Sequence, residues 1–477
     1  MNSFLSKTDI RKLLLVHTIE ESFQQKISIS DLIERMNISE FILFSTYEEL
    51  KQDIERYQLD DEIYIQKLNQ NIILKKNISF STKDLKKIYV KNSLGFQIIQ
   101  DVFDEVYTNT NEYALLFFTS RTKVYNKVNE LRDKLAENAI KLSSRFELIG
   151  SEKAIRIYMN NLYTYAYGND DYPFSTILKK QVQLFITNLE KKTGRKLTQT
   201  SKIKLLYFVS ICQIRIGNKK HIKLSSNTYS SNYSLNKVIK AVYQISFGKK
   251  VTENELDLLL QFIGSLDEFM HDFEMEKPDE LTNFFLLKFQ SYFGEIKDEQ
   301  LKIRLANDLM KIHYPILMFK CLQTEMDERV KSRFIEENYP ELMDFCLYII
   351  EKAFKYKKLY LIKQNEIYLI NRYIFLLINV LPINFFSLPI KICIDFTLGG
   401  NYNQFIYRNI KTFDFINIEI SNQLTDDIDI LLCDYTVKDL NEELKVVVWS
   451  APPTAGDWAN LGKYIINARK KTIGEEE

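Results

Sequence analysis

A stripe of apolar residues with helical spacing gives the clearest structural prediction in the chain. The stripe consists of Val124, Val128, Leu131 and Leu135. Because an α-helix turns about 100° per residue, this spacing places all four side chains on one buried face. Ser120 stands just before the helix, where its hydroxyl can accept a free backbone N–H. The pattern predicts a capped, amphipathic helix.

The opposite face of this helix is polar and basic. A short apolar helix precedes it, from Tyr113 to Phe118, and two short strands around the turn Ser143-Ser144-Arg145 follow it. This order is typical of a winged helix-turn-helix, whose second helix enters the DNA major groove while the wing reaches phosphates. The residues that we predict to contact DNA are Arg121, Thr122, Lys123, Tyr125, Asn126, Lys127 and Asn129 on the helix, and Arg145 on the wing.

Local charge supports this interpretation. Residues 119–160 contain nine Lys/Arg and five Asp/Glu, so the segment carries nine minus five, or +4, in a chain of net charge +1. A near-neutral chain is not suited to coating nucleic acid in bulk, and any DNA binding is therefore expected to be confined to a local patch. An amphipathic helix with basic residues on its wet face is also compatible with a simple solvated surface.

The same apolar register occurs once more, upstream. Ser39 takes the place of Ser120, and the stripe is formed by Leu43, Tyr47, Leu50 and Ile54. The outer face of this upstream helix is apolar and acidic, and carries Phe41, Ile42, Phe44, Ser45, Glu48 and Glu49. Such a face has neither phosphate affinity nor a hydrogen-bond code for base edges. We predict that this first unit packs on protein or assists weakly, and that the second unit is the main DNA reader.

The rest of the chain is helical in period up to about residue 384, and strands alternate with helices after Pro389. Alternating strands and helices predict a small parallel α/β sheet. The fold class is therefore mainly α and multidomain. The predicted domains are two winged helix-turn-helix units at 1–80 and 81–165, two helical bundles at 166–277 and 278–385, and an α/β domain at 386–477.

Composition narrows the remaining possibilities. The five cysteines are scattered and form no CxxC pair or Cys/His cluster, so neither a disulfide framework nor a zinc site is expected. We expect no cofactor. The most apolar stretch, 368–396, is interrupted by polar residues and prolines and is not expected to span a membrane. We expect a soluble, cytoplasmic protein with no membrane partner.

The domain order and two local segments resemble a known family. The segments are SRTKVYNKVNELRDKL and LIGSEKAIRIYMNNLY. They are similar to those of the Mga/AtxA/RofA-type virulence regulators of Gram-positive bacteria, and the resemblance extends over the whole chain. It implies a transcriptional regulator of virulence genes that binds double-stranded promoter DNA. It also implies helical bundles that are phosphotransferase-system regulation (PRD-like) domains, and an enzyme IIB-like C-terminal domain that helps the protein form a homodimer.

Regulation domains of this kind can be phosphorylated on histidine, which makes the general phosphocarrier protein of the phosphotransferase system a candidate partner. The candidate phosphorylation sites are His221, His271 and His313. His221 follows the basic turn Gly217-Asn-Lys-Lys220, whose lysines could pair with a new phosphate. His271 lies among acidic residues, which would repel it. For each histidine, an ordinary surface or core role remains an alternative.

Two other functions stay open. A phosphocarrier would need a nucleophile in the loop after the first strand of the α/β domain. That loop, Asp395–Gly400, contains no cysteine or histidine, and Cys393 lies within the strand, which counts against this function. A scaffold without DNA binding is the second alternative, given the apolar first unit. Trp449 and Trp458 are expected to supply an aromatic surface for self-association.

Overall fold

The chain divides into two units in the computed structural model. Unit 1 comprises Met1–Glu274 with Met318–Met326, and unit 2 comprises Met275–Leu317 with Asp327–Glu477. His271 and the predicted domain limits at 277/278 and 386 lie outside the described residues. The structure describes residues 2–107, 109–169, 171–223, 233–269, 279–319, 335, 339–356, 359–385, 389–413, 417–436 and 444–473.

Unit 1 begins with a helix-turn-helix and a three-stranded antiparallel sheet. Its helices are α1 (Lys7–Glu20), α2 (Ile29–Met36) and α3 (Glu40–Arg56), and its strands are β1 (Lys26–Ser28), β2 (Ile63–Leu68) and β3 (Asn71–Lys76). The strand order is β1-β3-β2. Asn37 adopts a left-handed conformation (φ 50°) between α2 and α3, which turns the chain. Ser39 caps α3, as its position predicts.

The second helix-turn-helix also ends in a hairpin, but its sheet has only two strands among the described residues. Its elements are α4 (Thr82–Lys91), α5 (Leu94–Phe103), α6 (Thr110–Leu116), α7 (Arg121–Glu137), β4 (Ile140–Leu142) and β5 (Leu148–Gly150), followed by α8 (Glu152–Tyr167). Helix α7 packs against α5, α6 and β4. The predicted amphipathic helix and the predicted hairpin after it are both confirmed.

A helical bundle completes the described part of unit 1. It consists of α9 (Thr176–Thr193), α10 (Gln199–Gly217), α11 (Tyr233–Phe247) and α12 (Glu253–Gly264). Helix α9 packs against α10 and α11, and α8 packs against α10. Buried aromatic rings join α10 to α12, with the centroids of Phe208 and Phe262 3.7 Å apart. Helix α8 therefore connects the hairpin of the second helix-turn-helix directly to this bundle.

Unit 2 combines helices with a sheet. The helices before the sheet are α13 (Glu280–Phe293), α14 (Glu299–Phe319), α15 (Pro340–Ala353), α16 (Tyr360–Gln364) and α17 (Glu366–Val380). The α/β part contains β6 (Ile390–Asp395), α18 (Gly400–Ile410), β7 (Ile418–Ser421), β8 (Ile430–Cys433), β9 (Lys445–Val448) and α19 (Ala455–Ile473). The strand order is β7-β6-β8-β9 with every pair parallel, which confirms the predicted parallel sheet.

The predicted surface role of Trp449 is wrong. Only 3% of this residue is exposed, and its ring packs 4.8 Å from Trp458 and 6.4 Å from Phe396. Trp449 directly follows β9, and its side chain joins the core that this sheet shares with α18 and α19. Local sequence could not separate a core tryptophan from an interface tryptophan, because both require an apolar neighbourhood.

In the described part of the chain, every helix is too short or too polar to cross a lipid bilayer.

Candidate nucleic-acid interface

The buried face of α7 orients this helix. The hydroxyl of Ser120 accepts the backbone N–H of Lys123 at 3.2 Å and caps the helix, as its position predicts. The four residues of the apolar stripe are each at most 2% exposed. Burial of these side chains contributes about 1.5–3 kcal/mol each, enough to fix which face of α7 meets the core. The opposite face must therefore meet solvent or a partner.

The outward face at the start of α7 carries cations, a hydroxyl and an amide. Its exposed residues are Arg121, Thr122, Lys123, Tyr125 and Asn126. The first turn contains no acidic residue. Cations can neutralise phosphates, while hydroxyl and amide groups can hydrogen-bond base edges. The first residues of a reading helix are the ones that reach the bases in helix-turn-helix proteins, so this end of α7 has the chemistry of a DNA reader.

Two of the predicted contact residues already have partners within the protein. The ammonium group of Lys127 donates to the backbone carbonyl of Ser3 at 3.0 Å and lies 2.6 Å from the Glu130 carboxylate, and its side chain is 19% exposed. The side-chain oxygen of Asn129 accepts a hydrogen bond from Arg132 at 3.0 Å. Both residues lie farther from the free end of α7 than the five exposed ones.

The wing turn is organised by one serine. The hydroxyl of Ser143 accepts the backbone N–H groups of Arg145 at 3.2 Å and of Glu147 at 3.0 Å. The backbone N–H of Ser143 in turn donates to the carbonyl of Glu147 at 3.0 Å. These bonds close the turn between β4 and β5 and leave Arg145 exposed at its tip. Arg145 therefore lies at the tip of the hairpin, and its contact with DNA stays a prediction.

The wing is held to its own domain by aromatic contacts that the sequence did not reveal. The ring of Phe146 stacks on Tyr107, with centroids 3.8 Å apart and planes 20° apart. Arg132 of α7 lies 5.7 Å from the Phe146 ring centroid. Phe146 has a φ of 59°, which is unusual for an aromatic residue and directs its ring inward. In the sequence, only the presence of an aromatic residue in an otherwise polar turn could have indicated that the turn packs against the rest of its domain.

Helix α3 of the first helix-turn-helix has the opposite electrostatic character. It contains two basic residues (Lys51, Arg56) and five acidic ones, a net charge of two minus five, or −3, whereas α7 has five minus three, or +2. Phe41 at its start is 83% exposed. The ammonium group of Lys67 from the hairpin lies 4.1 Å from the Phe44 ring centroid. Helices α3 and α7 thus occupy equivalent positions in two similar folds and differ in surface chemistry.

The histidines that were candidates for phosphorylation occupy different environments. His221 is exposed after α10. His313 is fully buried, with one ring nitrogen 2.7 Å from the Thr282 hydroxyl and the other 2.7 Å from the Tyr373 hydroxyl. Asp279 lies 3.6 Å from the same ring. Burial alone would raise the pKa of Asp279, but hydrogen bonds and charge from His313, with hydrogen bonds from Thr282, lower that pKa below its usual value.

Among the described residues, the carboxyl end of the sheet offers little nucleophilic chemistry. Cys393 and Cys433 are buried, at 1% and 0% exposure, and burial raises the pKa of the Cys393 thiol. After β6, the backbone N–H and hydroxyl of Thr397 donate to the carboxylate of Asp434, at 2.9 and 2.6 Å. This loop is therefore closed by hydrogen bonds between protein groups.

Comparison with known proteins found two similarities. Residues 78–163 match the family model described as the Mga helix-turn-helix domain. The capsule synthesis positive regulator AcpB of Bacillus anthracis is 24% identical over 230 residues, which are 46% of this chain and 48% of AcpB. The match thus spans about half the length of that relative. The matched family segment contains α4 to α7, the wing and most of α8.

Proposed function

We propose that this chain, a relative of the Mga-type regulators through the helix-turn-helix domain at residues 78–163, is a transcriptional regulator that binds double-stranded promoter DNA with α7 and its wing. The observation that carries the proposal is the exposed, basic N-terminal face of α7 within that domain. The similarity to AcpB, named a positive regulator of capsule synthesis, supports virulence genes as its targets.

DNA reading by α7 can be tested with a duplex that the protein itself selects. The purified full-length chain is used to enrich its preferred duplex from a random library, and that duplex serves as the probe. Lys123→Ala with Asn126→Ala should weaken binding strongly, since a base-edge contact is worth about 1–3 kcal/mol, or about 5- to 150-fold in Kd. The matched pair on α3 of the first helix-turn-helix, Ile42→Ala with Ser45→Ala, should change Kd by less than about twofold, because neither residue is suited to phosphate contact.

Each outcome separates the functions that the sequence left open. Equal losses of affinity from both pairs would show that the first helix-turn-helix reads DNA as well. Failure to select any duplex, or a selected duplex bound equally by all variants, would contradict DNA reading and favour a scaffold.

Regulation is proposed to act through the helical bundle of unit 1, at His221. This histidine is exposed and is flanked by Lys219, Lys220 and Lys223, which could pair with the negative charges of a phosphate. His313 is not carried into this proposal, because both of its ring nitrogens are hydrogen-bonded in a fully buried site. To test phosphorylation of His221, the chain is incubated with the phosphorylated general phosphocarrier protein, and the position of any acid-labile phosphoryl group is mapped. Label absent from residue 221 would leave regulation to binding or association alone.

Self-association is proposed to involve the α/β part of unit 2. Leu398, Phe405 and Val448 are 62%, 49% and 53% exposed there, and apolar side chains like these can be buried in the core of a protein interface. Removal of residues 386–477 should shift the protein from dimer to monomer in analytical ultracentrifugation. A truncated chain that sediments as a dimer would contradict this assignment.

A further inference from the structure

A buried arginine joins the helix after the wing to the bundle. Arg156, on the second turn of α8, is 0% exposed. Its guanidinium makes a two-pronged ion pair with the carboxylate of Glu255 on α12, one contact being 3.0 Å. The same guanidinium donates to the backbone carbonyl of Lys220 at 2.9 Å. One side chain thus holds both α12 and the segment after α10.

The segment around His221 is held on both sides. The carboxylate of Glu255 accepts the backbone N–H of Ile222 at 3.2 Å, and the side-chain amide of Asn254 donates to the Ile222 carbonyl at 3.1 Å. With the Arg156 bond to Lys220, the residues before and after His221 are both fixed while its ring stays exposed. A charge placed on that ring therefore acts next to a buried ion pair.

A second ion pair ties the same helices together at the base of the wing. Arg215 of α10 makes a two-pronged ion pair with Glu152 of α8, one contact being 3.1 Å. Glu152 lies 3.5 Å from Arg156 as well, and the backbone N–H of Lys220 donates to the carbonyl of Arg215 at 2.9 Å. Because α8 begins two residues after Gly150, these contacts meet the chain where the wing ends.

Buried ion pairs of this kind are weak sources of stability. Replacing both partners by apolar residues of similar size is often neutral or stabilising, whereas removing one leaves an uncompensated buried charge and is strongly destabilising. What a two-pronged arginine–carboxylate pair does provide is a defined geometry. The pair is therefore suited to orienting α8 against α10 and α12 rather than to adding stability.

We infer that Arg156 and Glu255 are positioning residues that couple the charge at His221 to the DNA-reading domain. This inference rests on the proposed function. A negative charge at His221 repels the Glu255 carboxylate and attracts Lys219 and Lys223, which moves the segment and breaks its bond to Arg156. Helix α8 then loses one of the contacts that fix it directly behind the wing, which changes the orientation of the DNA-reading domain.

The test compares the effect of one charge in two backgrounds of the full-length chain. His221→Asp is introduced alone and together with Arg156→Met and Glu255→Leu, and Kd for the library-selected duplex is measured by fluorescence anisotropy. Coupling between distant sites is typically about 5- to 150-fold. We expect His221→Asp to change Kd by at least about fivefold in the first background and by less than about twofold in the second.

A matched control replaces another buried ion pair of unit 1. Lys12 on α1 and Asp53 on α3 are paired with side chains 7% and 13% exposed. Lys12→Met with Asp53→Leu should leave the His221→Asp effect intact, since this pair makes no contact with the His221 segment among the described residues. Glu255→Gln, which removes the charge that His221→Asp would repel and keeps a side chain of the same size, is the milder variant if the apolar pair does not fold, and it should reduce the effect at least twofold.

Persistence of the full His221→Asp effect in the apolar pair, or in Glu255→Gln, would overturn the inference. The inference would also be overturned if His221→Asp left Kd unchanged in the natural background. In that case, DNA binding by the unaltered chain would show that the proposed function still holds. Loss of DNA binding by the unaltered chain would instead refute the proposed function.

Discussion

For the proposed DNA binding by α7 and its wing, the contact between Lys127 and Ser3 predicts which of their basic residues contact phosphates. Arg121 and Arg145 are exposed at the start of α7 and at the tip of the wing. Lys127 lies on the same helix and has the same charge, but its ammonium group is bonded to the Ser3 carbonyl and to Glu130. A cation that contacts a phosphate releases bound counterions from the duplex, and one already bonded within the protein does not.

The size of the effect follows from counterion release. Each phosphate contact contributes about 0.9 to the slope of log K against log salt concentration for duplex DNA. Between 50 and 200 mM salt, a fourfold change, removing one contact therefore makes the loss of affinity about 3.5-fold smaller. We expect Arg121→Gln and Arg145→Gln each to flatten the slope by about 0.9, and Lys127→Gln to change it by less than about 0.2.

The assay is anisotropy of a labelled, library-selected duplex, titrated with the full-length chain at five potassium chloride concentrations. All three variants remove one positive charge, so a general loss of electrostatic attraction would affect them alike. A slope for Lys127→Gln as flat as that of Arg121→Gln would refute the reasoning, since it would mean that Lys127 exchanges Ser3 for a phosphate on binding.

Two further predictions concern stability. Gly150 closes the wing at φ 150°, and a Cβ there would lie 2.7 Å from the Ala139 carbonyl oxygen, so Gly150→Ala should destabilise the protein by about 1–3 kcal/mol. Gly217→Ala, where a Cβ has open space, is the calorimetric control, and equal losses would contradict the steric argument. Because the pKa of Asp279 is lowered, its contribution is present above about pH 4 and is lost as pH falls through the lowered pKa. The difference in Tm between the natural chain and Asp279→Asn should therefore narrow from pH 6 to pH 3, and a constant difference would contradict the charge pairing.

The sequence was sufficient for features that depend on periodicity. The stripe of α7, its serine cap and the following hairpin all follow from local spacing, because each residue type has a strong preference for the position it occupies. The parallel sheet after Pro389 was predictable for the same reason. The register of the stripe in α3 was equally readable, since it repeats that of α7.

Features that depend on distant partners were not predictable. Nothing near Lys127 indicates that its ammonium group bonds to Ser3, 124 residues earlier in the chain. The burial of His313 depends on Thr282 and Tyr373, from two other helices, and the pairing of Arg156 with Glu255 spans 99 residues. Periodicity gives the face on which a side chain lies, but only tertiary packing decides what it meets there.

The matched stripes of α3 and α7 separate the residues that build the fold from those that could read DNA. The inward residues Leu43 and Val124 occupy the same position in the two helices, as do the outward residues Phe41 and Thr122. Substitutions at sites without shared contacts usually act additively. Mutations on the outer face can therefore change binding preference with little change in foldability. A chain with two such helices can therefore keep both folds while the outward faces of α3 and α7 differ in what they bind.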